Sequence, residues 1–279
     1  MKKEPKQIPD MPKCSYRRLS SREIENIRAL AKKDLSLKSI SAQLRVPKTT
    51  VYYHVRDYCK KMTYMDLNAL SEEEEGYLLG MFVGDGNLIV KRKRGRYLTK
   101  FALDTERDQD IADYLVSVFK KAGKRITRYI ARSSLTFKVC SKEFVEFLLK
   151  HVTYTKRRDS RRRVKILIRP DKWTTAFKLG FVGGLSDSDG YVYYNRRRTK
   201  HFGALIKTAN NTFRNQLTEI LNTLGVEVTT YTAKLHKKSY SSRPQYVVYV
   251  PTRELERISH RLPAMKLKRF SVFPRRLNL

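Results

Sequence analysis

The chain has 279 residues and a formal net charge of +33, from 60 Lys and Arg against 27 Asp and Glu. Hydrophobic residues make up 41% of it, which excludes a disordered polycation, and the length allows about two domains. No stretch reaches the roughly 18 apolar residues of a membrane span, and the first residues lack the apolar segment of a signal peptide. We therefore expect a folded cytoplasmic, nucleoid-associated protein whose partner is nucleic acid rather than a membrane surface.

The first 66 residues predict a flexible lead-in and a small all-α domain. Residues 1–19 are polar and contain several prolines, which indicates a flexible segment. Residues 20–66 have helical periodicity, with a capping box at Ser20–Glu23 and helices to about residue 33, over 36–44 and over 48–61. The second and third of these helices and their turn resemble the helix-turn-helix of bacterial and archaeal transcription regulators. Arg45 departs from that pattern, because the turn usually has glycine to supply a positive φ.

The third helix of this domain is predicted to enter a DNA major groove. The alternative is a generic three-helix packing module with a solvated basic face. The residues predicted to contact DNA are Lys48, Thr49, Thr50, Tyr52, Tyr53 and Arg56.

Two later segments, ending at Asp85-Gly86 and at Asp189-Gly190, share a pattern of small residues at an offset of 104 positions. Residues four apart lie on one face of a helix, so each segment presents a smooth stripe that another backbone can approach closely. The simplest partner of each stripe is the other stripe. The small residues are Gly76, Gly80 and Gly84 in the first segment and Gly180, Gly184 and Ser188 in the second.

The paired aspartates predict a divalent cation. An Asp at a helix C-terminus faces the negative end of the helix dipole, and two adjacent carboxylates repel each other. A cation between them would offset both effects. The alternative is that the stripes serve tight packing alone and that Asp-Gly is an ordinary helix-terminating turn.

Strand and helix patterns follow both motif helices in the same order, which indicates a duplicated unit. The predicted fold class is α+β, with two αββαββα repeats and the small helix-turn-helix domain. Ser71 and Asp171 are predicted to cap the two motif helices. The predicted boundaries are 71–152 for the first repeat, 153–170 for a basic linker and 171–279 for the second repeat.

In this context the segments Leu78–Gly86 and Val182–Gly190 resemble the motifs of the LAGLIDADG homing endonuclease family in its single-chain, two-repeat form. The resemblance covers about residues 71–279 and implies two pseudo-symmetric repeats whose sheets form a DNA-binding saddle. It also implies a monomeric, Mg²⁺-dependent, site-specific endonuclease, with Mn²⁺ able to substitute, that cuts both strands of a long asymmetric double-stranded DNA target. The sixth motif position is Val83 in one repeat and Asp187 in the other, and it is not the metal ligand that the repeats share.

The same resemblance implies the site residues. Asp85 and Asp189 would bind the metal, with the backbone carbonyls of Gly84 and Ser188 as secondary ligands. The family also places a basic residue near each site, which suggests Lys268 in the second repeat and Lys156 in the first. The alternative for both lysines is that they belong only to a basic surface.

Recognition of the target is predicted to come from the outward face of the strands after each motif. An alternation shifted by one residue would select the opposite face. The residues chosen are Asn87, Ile89, Lys91 and Lys93 in the first repeat and Tyr191, Tyr193, Asn195 and Arg197 in the second.

Three functions remain open on the sequence alone. The leading hypothesis is the endonuclease. The second is a DNA-binding transcription regulator of the sporulation type, which combines a LAGLIDADG-like scaffold with a helix-turn-helix and is expected to lack the catalytic acids. The third is an RNA-binding intron maturase that uses the same basic surface.

Overall fold

The computed structural model describes residues 19–32, 36–56, 64–131, 134–156, 162–166, 172–195, 201–233 and 244–271. These residues belong to two units, Met1–Lys61 and Met62–Leu279. The boundary between the units falls before the predicted domain end at residue 66. Met65 is 1% exposed and packs into the core of the second unit, and the N–H of Asp66 donates to the carbonyl of Ala122 at 3.1 Å.

In the part of the first unit that the structure describes, the chain forms three short helices. A capping box opens the first helix, since the N–H of Ser20 donates to the Glu23 carboxylate at 2.8 Å and the N–H of Glu23 donates to Ser20 Oγ at 3.3 Å. The helices are α1 (Ser21–Lys32), α2 (Leu37–Leu44) and α3 (Lys48–Val55). Their small core consists of Ile27, Ile40, Val46, Val51 and Val55.

The turn between α2 and α3 has the positive φ that the sequence pattern requires. Arg45 has φ 52° and ψ 38°, and its N–H closes the last turn of α2 on the carbonyl of Ser41. Among the residues described, it is the one non-glycine residue with a positive φ. The turn therefore has the expected geometry even though an arginine occupies it.

The first repeat has the predicted order of elements. Ser71 and Glu74 form the predicted capping box, with bonds of 3.2 Å and 2.8 Å. The elements are α4 (Glu72–Asp85), β1 (Asn87–Lys91), β2 (Arg96–Asp104), α5 (Gln109–Lys121), β3 (Thr127–Ala131), β4 (Ser134–Cys140) and α6 (Lys142–His151). The four strands make one antiparallel sheet in the order β1-β2-β4-β3.

A two-stranded hairpin occupies part of the segment predicted to be a basic linker. Strands β5 (Val152–Lys156) and β6 (Arg162–Ile166) pair antiparallel, with Val152 opposite Ile166 and Tyr154 opposite Val164. The run of Lys and Arg obscured these β-branched and aromatic residues, which favour extended backbone. The linker prediction is therefore corrected for these two strands.

The second repeat has the same order and ends in an additional helix that was not predicted. Its motif helix begins later than predicted: Thr174 caps it by accepting from the N–H of Phe177 at 3.2 Å, while Asp171 lies outside the described residues. The elements are α7 (Thr175–Ser188), β7 (Gly190–Asn195), β8 (His201–Thr208), α8 (Asn211–Thr223), β9 (Thr229–Ala233), β10 (Gln245–Val250), α9 (Thr252–Ser259) and α10 (Met265–Ser271). The sheet order β7-β8-β10-β9 matches that of the first repeat.

One continuous core joins the two repeats. Phe119 and Phe144 meet edge to face in the first repeat, with ring centroids 5.3 Å apart. Trp173, just before the second motif helix, packs on Phe181 of that helix with ring centroids 5.2 Å apart. Because α4 and α7 are almost wholly buried, they form the centre from which both sheets extend.

Candidate metal centre and nucleic-acid interface

The two motif helices pack at backbone contact, as the small-residue stripes predict. A Cβ on Gly80 would overlap the carbonyl oxygen of Phe181, and a Cβ on Gly184 would overlap the carbonyl oxygen of Tyr77. Only glycine allows so close an approach at these positions. A Cβ on Gly76 or on Gly180 would likewise overlap a backbone carbonyl oxygen of the other helix.

This contact continues to the C-terminal ends of both helices. A Cβ on Gly84 would overlap the side chain of Ser188 and would lie 3.3 Å from the backbone nitrogen of Asp189. Asp85 is the last residue of α4, and Asp189 is the C-cap of α7. The two predicted ligands therefore belong to adjacent helix ends, with Asp85 half-buried and Asp189 exposed.

The donor set at this place suits a hard divalent cation. Within the described ranges, no group of three or more His, Cys, Asp or Glu residues could enclose a metal. Mg²⁺ and Mn²⁺ accept one or two carboxylates with carbonyl, water and phosphate oxygens, whereas a structural zinc site needs four protein ligands such as Cys and His. One carboxylate from each helix end therefore fits a magnesium-like ion whose remaining ligands are water and substrate.

A lysine that was not selected from the sequence lies next to Asp189. Lys266 Nζ donates to the carbonyl oxygens of Ser188 at 3.1 Å and Gly190 at 3.5 Å, which flank Asp189 in the chain. The ammonium group offsets the negative end of the α7 dipole. The Ser188 carbonyl that accepts from Lys266 is also the carbonyl that the family resemblance suggested as a secondary metal ligand.

The two lysines chosen from the sequence lie elsewhere on the described chain. Lys268 is exposed on α10, two residues beyond Lys266. Lys156 ends strand β5, and its side chain is outside the description. The stretch after Pro263 leads into α10, which carries both Lys266 and Lys268, and Lys266 is the one whose contacts with Ser188 and Gly190 are described above.

Asp187 anchors the start of α10. Its side chain is fully buried and accepts from the Tyr77 hydroxyl at 2.8 Å and from the backbone N–H groups of Met265 and Lys266 at 2.9 and 2.8 Å. Burial raises the pKa of Asp187, and these three bonds act in the opposite direction. Asp187 therefore positions the segment that carries Lys266.

Helix α10 also contacts the first repeat. Arg269 Nε donates to the Asp110 carboxylate at 2.9 Å, and this bond holds the pKa of Asp110 below its usual range. Asp110 lies in the first turn of α5. The added helix therefore ties the end of the second repeat to the first repeat beside the motif helices.

The strand register supports the predicted outward face. Leu88 is buried against the core, whereas Asn87, Ile89 and Lys91 lie on the opposite face of β1. Lys93 is not on that strand, because it lies in a short 3-10 turn, Arg92–Arg94, between β1 and β2.

In the second repeat, Tyr191 is 60% exposed on β7. Tyr193 and Asn195 follow it on the same face by strand alternation, but only their backbone is described. Arg197 lies outside the described residues.

The predicted DNA-contacting residues of the first unit lie on the solvent side of α3. Val51 and Val55 are buried, while Tyr53 is 62% exposed and the Arg56 guanidinium lies over its ring at 5.0 Å. Thr50 is half-buried. The other exposed residues of this set are Lys48, Thr49 and Tyr52.

Residues 176–263 match the family described as LAGLIDADG-like domain, which confirms the resemblance for the second repeat. The first repeat shares its strand order and its motif helix, so the predicted two-repeat α+β fold is confirmed. A search of curated proteins finds no match. Within the described part of the chain, the helices are too short or too polar to span a bilayer.

Similar solved structures include three proteins. I-DmoI in complex with DNA and Ca is 18% identical over 70% of this chain and 92% of that chain, with a TM-score of 0.47. The homing endonuclease I-WcaI bound to its DNA recognition sequence is 17% identical over 75% and 86%, with a TM-score of 0.48. The N-terminal LAGLIDADG domain of DUF199/WhiA is 15% identical over 71% and 86%, with a TM-score of 0.46.

Proposed function

We propose that this chain is a divalent-metal-dependent, sequence-specific endonuclease that cuts both strands of double-stranded DNA. The observation that carries the proposal is the pair Asp85 and Asp189 at the adjacent ends of two helices in backbone contact. Packing alone requires small residues along the stripes, but it does not require a carboxylate at the negative end of each helix. A bound cation and a phosphate backbone explain both carboxylates.

Each repeat would supply one carboxylate to the reaction. Asp85 and Asp189 would hold Mg²⁺, or Mn²⁺ in its place, and the metal would activate water and stabilise the leaving oxygen of a phosphodiester. Lys266 would place a positive charge beside the scissile phosphate of the second site, where its ammonium already contacts the carbonyls on either side of Asp189. Asp187 and Tyr77 would hold that lysine in place through α10.

The substrate would lie along the outward faces of the two sheets. The net charge of +33 favours binding to the phosphate backbone, and Asn87, Lys91 and Tyr191 offer polar and aromatic groups on those faces. Because the two repeats differ in sequence, a single chain would recognise a long asymmetric target. The first unit would add contacts through α3.

Two other functions, a transcription regulator and an intron maturase, are distinguished from the endonuclease by the experiment described below. A transcription regulator would bind DNA without cutting it, and a maturase would prefer structured RNA. The solved structures with this fold include both homing endonucleases and the WhiA domain at comparable TM-scores, so fold similarity does not discriminate between them. The presence of both Asp85 and Asp189 favours the nuclease.

The test begins with selection of bound duplexes from a randomised DNA pool, followed by incubation of the selected duplex with Mg²⁺ or Mn²⁺. We expect double-strand cutting by the wild-type chain, and a loss of at least about 100-fold in Asp85→Asn and Asp189→Asn with affinity unchanged. Asp113→Asn, at an exposed aspartate of α5, is the matched control and should cut normally. Tight binding without cutting in either metal would identify a regulator, and preferential binding to structured RNA would identify a maturase.

A further inference from the structure

The outward faces of the two sheets differ at matched positions. Asn87 and Tyr191 each come two residues after the proposed metal ligand of their repeat, so they occupy equivalent places. From Asn87 a row of directly paired residues crosses the first sheet, and from Tyr191 an equivalent row crosses the second. We call them the first row, Asn87, Lys100, Lys138 and Thr127, and the second row, Tyr191, Leu205, Tyr249 and Thr229.

The first row carries hydrogen-bond donors and two positive charges. Lys100 and Lys138 are directly opposite each other on β2 and β4, and like charges in that position destabilise a sheet. Lys138 Nζ also lies 4.1 Å from the ring centroid of Tyr129. An array of acceptors would relieve this repulsion, and the major-groove edge of guanine presents two acceptors, N7 and O6.

The second row is apolar and aromatic in the same places. Leu205 occupies the position of Lys100, and Tyr249 occupies the position of Lys138. With Tyr191 and Tyr231, which are 60% and 45% exposed, they line a depression of about 550 Å³. Such a surface lacks the charged donors of the first row, and its apolar side chains fit the methyl group of thymine, the apolar group that duplex DNA exposes in the major groove.

We propose that the two rows read opposite chemistry on the two sides of the cleavage site. The first row reads guanine edges, and the second row packs against thymine methyl groups, at equivalent distances from the two cuts. This inference rests on the proposed function, because it takes duplex DNA as the substrate of both faces. The second row continues directly from Asp189, since β7 begins at the next residue, so a duplex at the metal site would reach it.

The experiment uses the full chain and duplexes selected by binding in EDTA, so that it does not depend on cleavage. In the selected duplex, thymines are replaced by uracil, which removes only the methyl group, in one half-site at a time. Guanines are separately replaced by 7-deazaguanine, which removes the N7 acceptor. We expect uracil to weaken binding about fourfold per lost methyl in one half-site only, and 7-deazaguanine to weaken it roughly tenfold in the other.

Reciprocal variants assign each half-site to its row. Leu205→Lys should move the preference of the thymine half-site towards guanine, and Lys100→Leu should remove the guanine preference of the opposite half-site. Both residues are half-buried on the outward face, and circular dichroism would verify that the variants fold. The base analogues are tested with the wild-type chain. They therefore show whether the two half-sites differ in chemistry even if a variant does not fold.

Equal sensitivity of both half-sites to uracil would overturn the inference, as would tighter binding of the single strand than of the duplex. The second outcome would mean that the tyrosines stack on unpaired bases. Cleavage of the selected duplex in Mg²⁺ is measured separately, so a failure of the proposed function would be seen as binding without cutting. The inference about the rows could still be confirmed in that case.

Discussion

The hydroxyl of Tyr77 donates a 2.8 Å hydrogen bond to Oδ2 of Asp187, which joins two motif helices through residues 110 positions apart. Both side chains are fully buried, and burial is the main cause that raises the pKa of the Tyr77 hydroxyl. The bond therefore links the two repeats at the point where α10 is anchored.

Tyr77→Phe should destabilise the protein by about 1–3 kcal/mol, because it leaves a buried carboxylate with one donor fewer. The measurement is urea unfolding followed by circular dichroism. Tyr114→Phe is the matched control, since Tyr114 packs edge to face on Tyr77 with centroids 4.7 Å apart. Equal losses in the two variants would show that the bond to Asp187 contributes nothing specific.

Gly80→Ala should destabilise the second unit by about 3 kcal/mol, because the added Cβ overlaps the backbone of α7. Gly95→Ala is the control, since apart from its chain neighbours no atom of the described residues lies within 4 Å of its added Cβ, and only the positive φ of 57° is unfavourable. We expect the control to lose about 1 kcal/mol. A Gly80 variant as stable as the control would contradict the close packing of the motif helices.

Lys266→Met should slow cutting of the strand served by Asp189 by about 100-fold while leaving DNA affinity almost unchanged. Lys268→Met, two residues further along α10, should change the cutting rate much less. The measurement is strand-specific nicking of an end-labelled duplex. The reverse order of effects would identify Lys268 as the basic residue of the second site.

Arg45→Gly should stabilise the first unit by about 0.5–1 kcal/mol, because glycine adopts the φ of 52° without the clash of a Cβ. Arg45→Ala keeps the Cβ and removes the charge, so it should give no such gain. Amide hydrogen exchange of Val51 and Val55 in the full chain measures the change. If Arg45→Ala gained as much amide protection over the wild type as Arg45→Gly, the gain would come from removing the arginine charge and not from the φ of residue 45.

The stability of the second unit should fall as the pH decreases from about 6.5 to about 4 because of His151. Burial, with a smaller effect of Lys150, lowers the pKa of this imidazole from 6.5 to about 4, so the unfolded chain binds the proton first. We expect a loss of roughly 1–2 kcal/mol, less than for a fully buried group because the ring is partly exposed.

His151→Phe isolates this effect, because it keeps the ring that stacks on Phe177 at 5.2 Å and removes the titration. Glu75 has the opposite effect on stability, because burial and the nearby Glu72 raise its pKa and its contribution therefore grows as the pH falls. This contribution is the same in the wild type and in His151→Phe. A variant whose stability falls between pH 6.5 and pH 4 as steeply as that of the wild type would exclude His151 as the cause.

The sequence alone determined the features that depend on neighbours along the chain. The capping boxes at Ser20 and Ser71, the small-residue stripes and the order of helices and strands along the chain follow from local hydrogen bonding and from helical and strand periodicity. The need for a positive φ at Arg45 was also visible, because it depends on the conformation of one residue. The same periodicity selected the outward face of β1.

Tertiary structure decided what depends on distant partners. The β5–β6 hairpin appears in a run of Lys and Arg because strand pairing satisfies its backbone, and periodicity does not report such pairing. The contact of Lys266 with the carbonyls that flank Asp189 follows from the docking of α10 on Asp187, which is held by hydrogen bonds between residues 78 and 79 positions apart. The opposite chemistry of the Lys100 and Leu205 positions emerged only when the strand register aligned them, because register is set by pairing across the sheet and not by the order of residues in either strand.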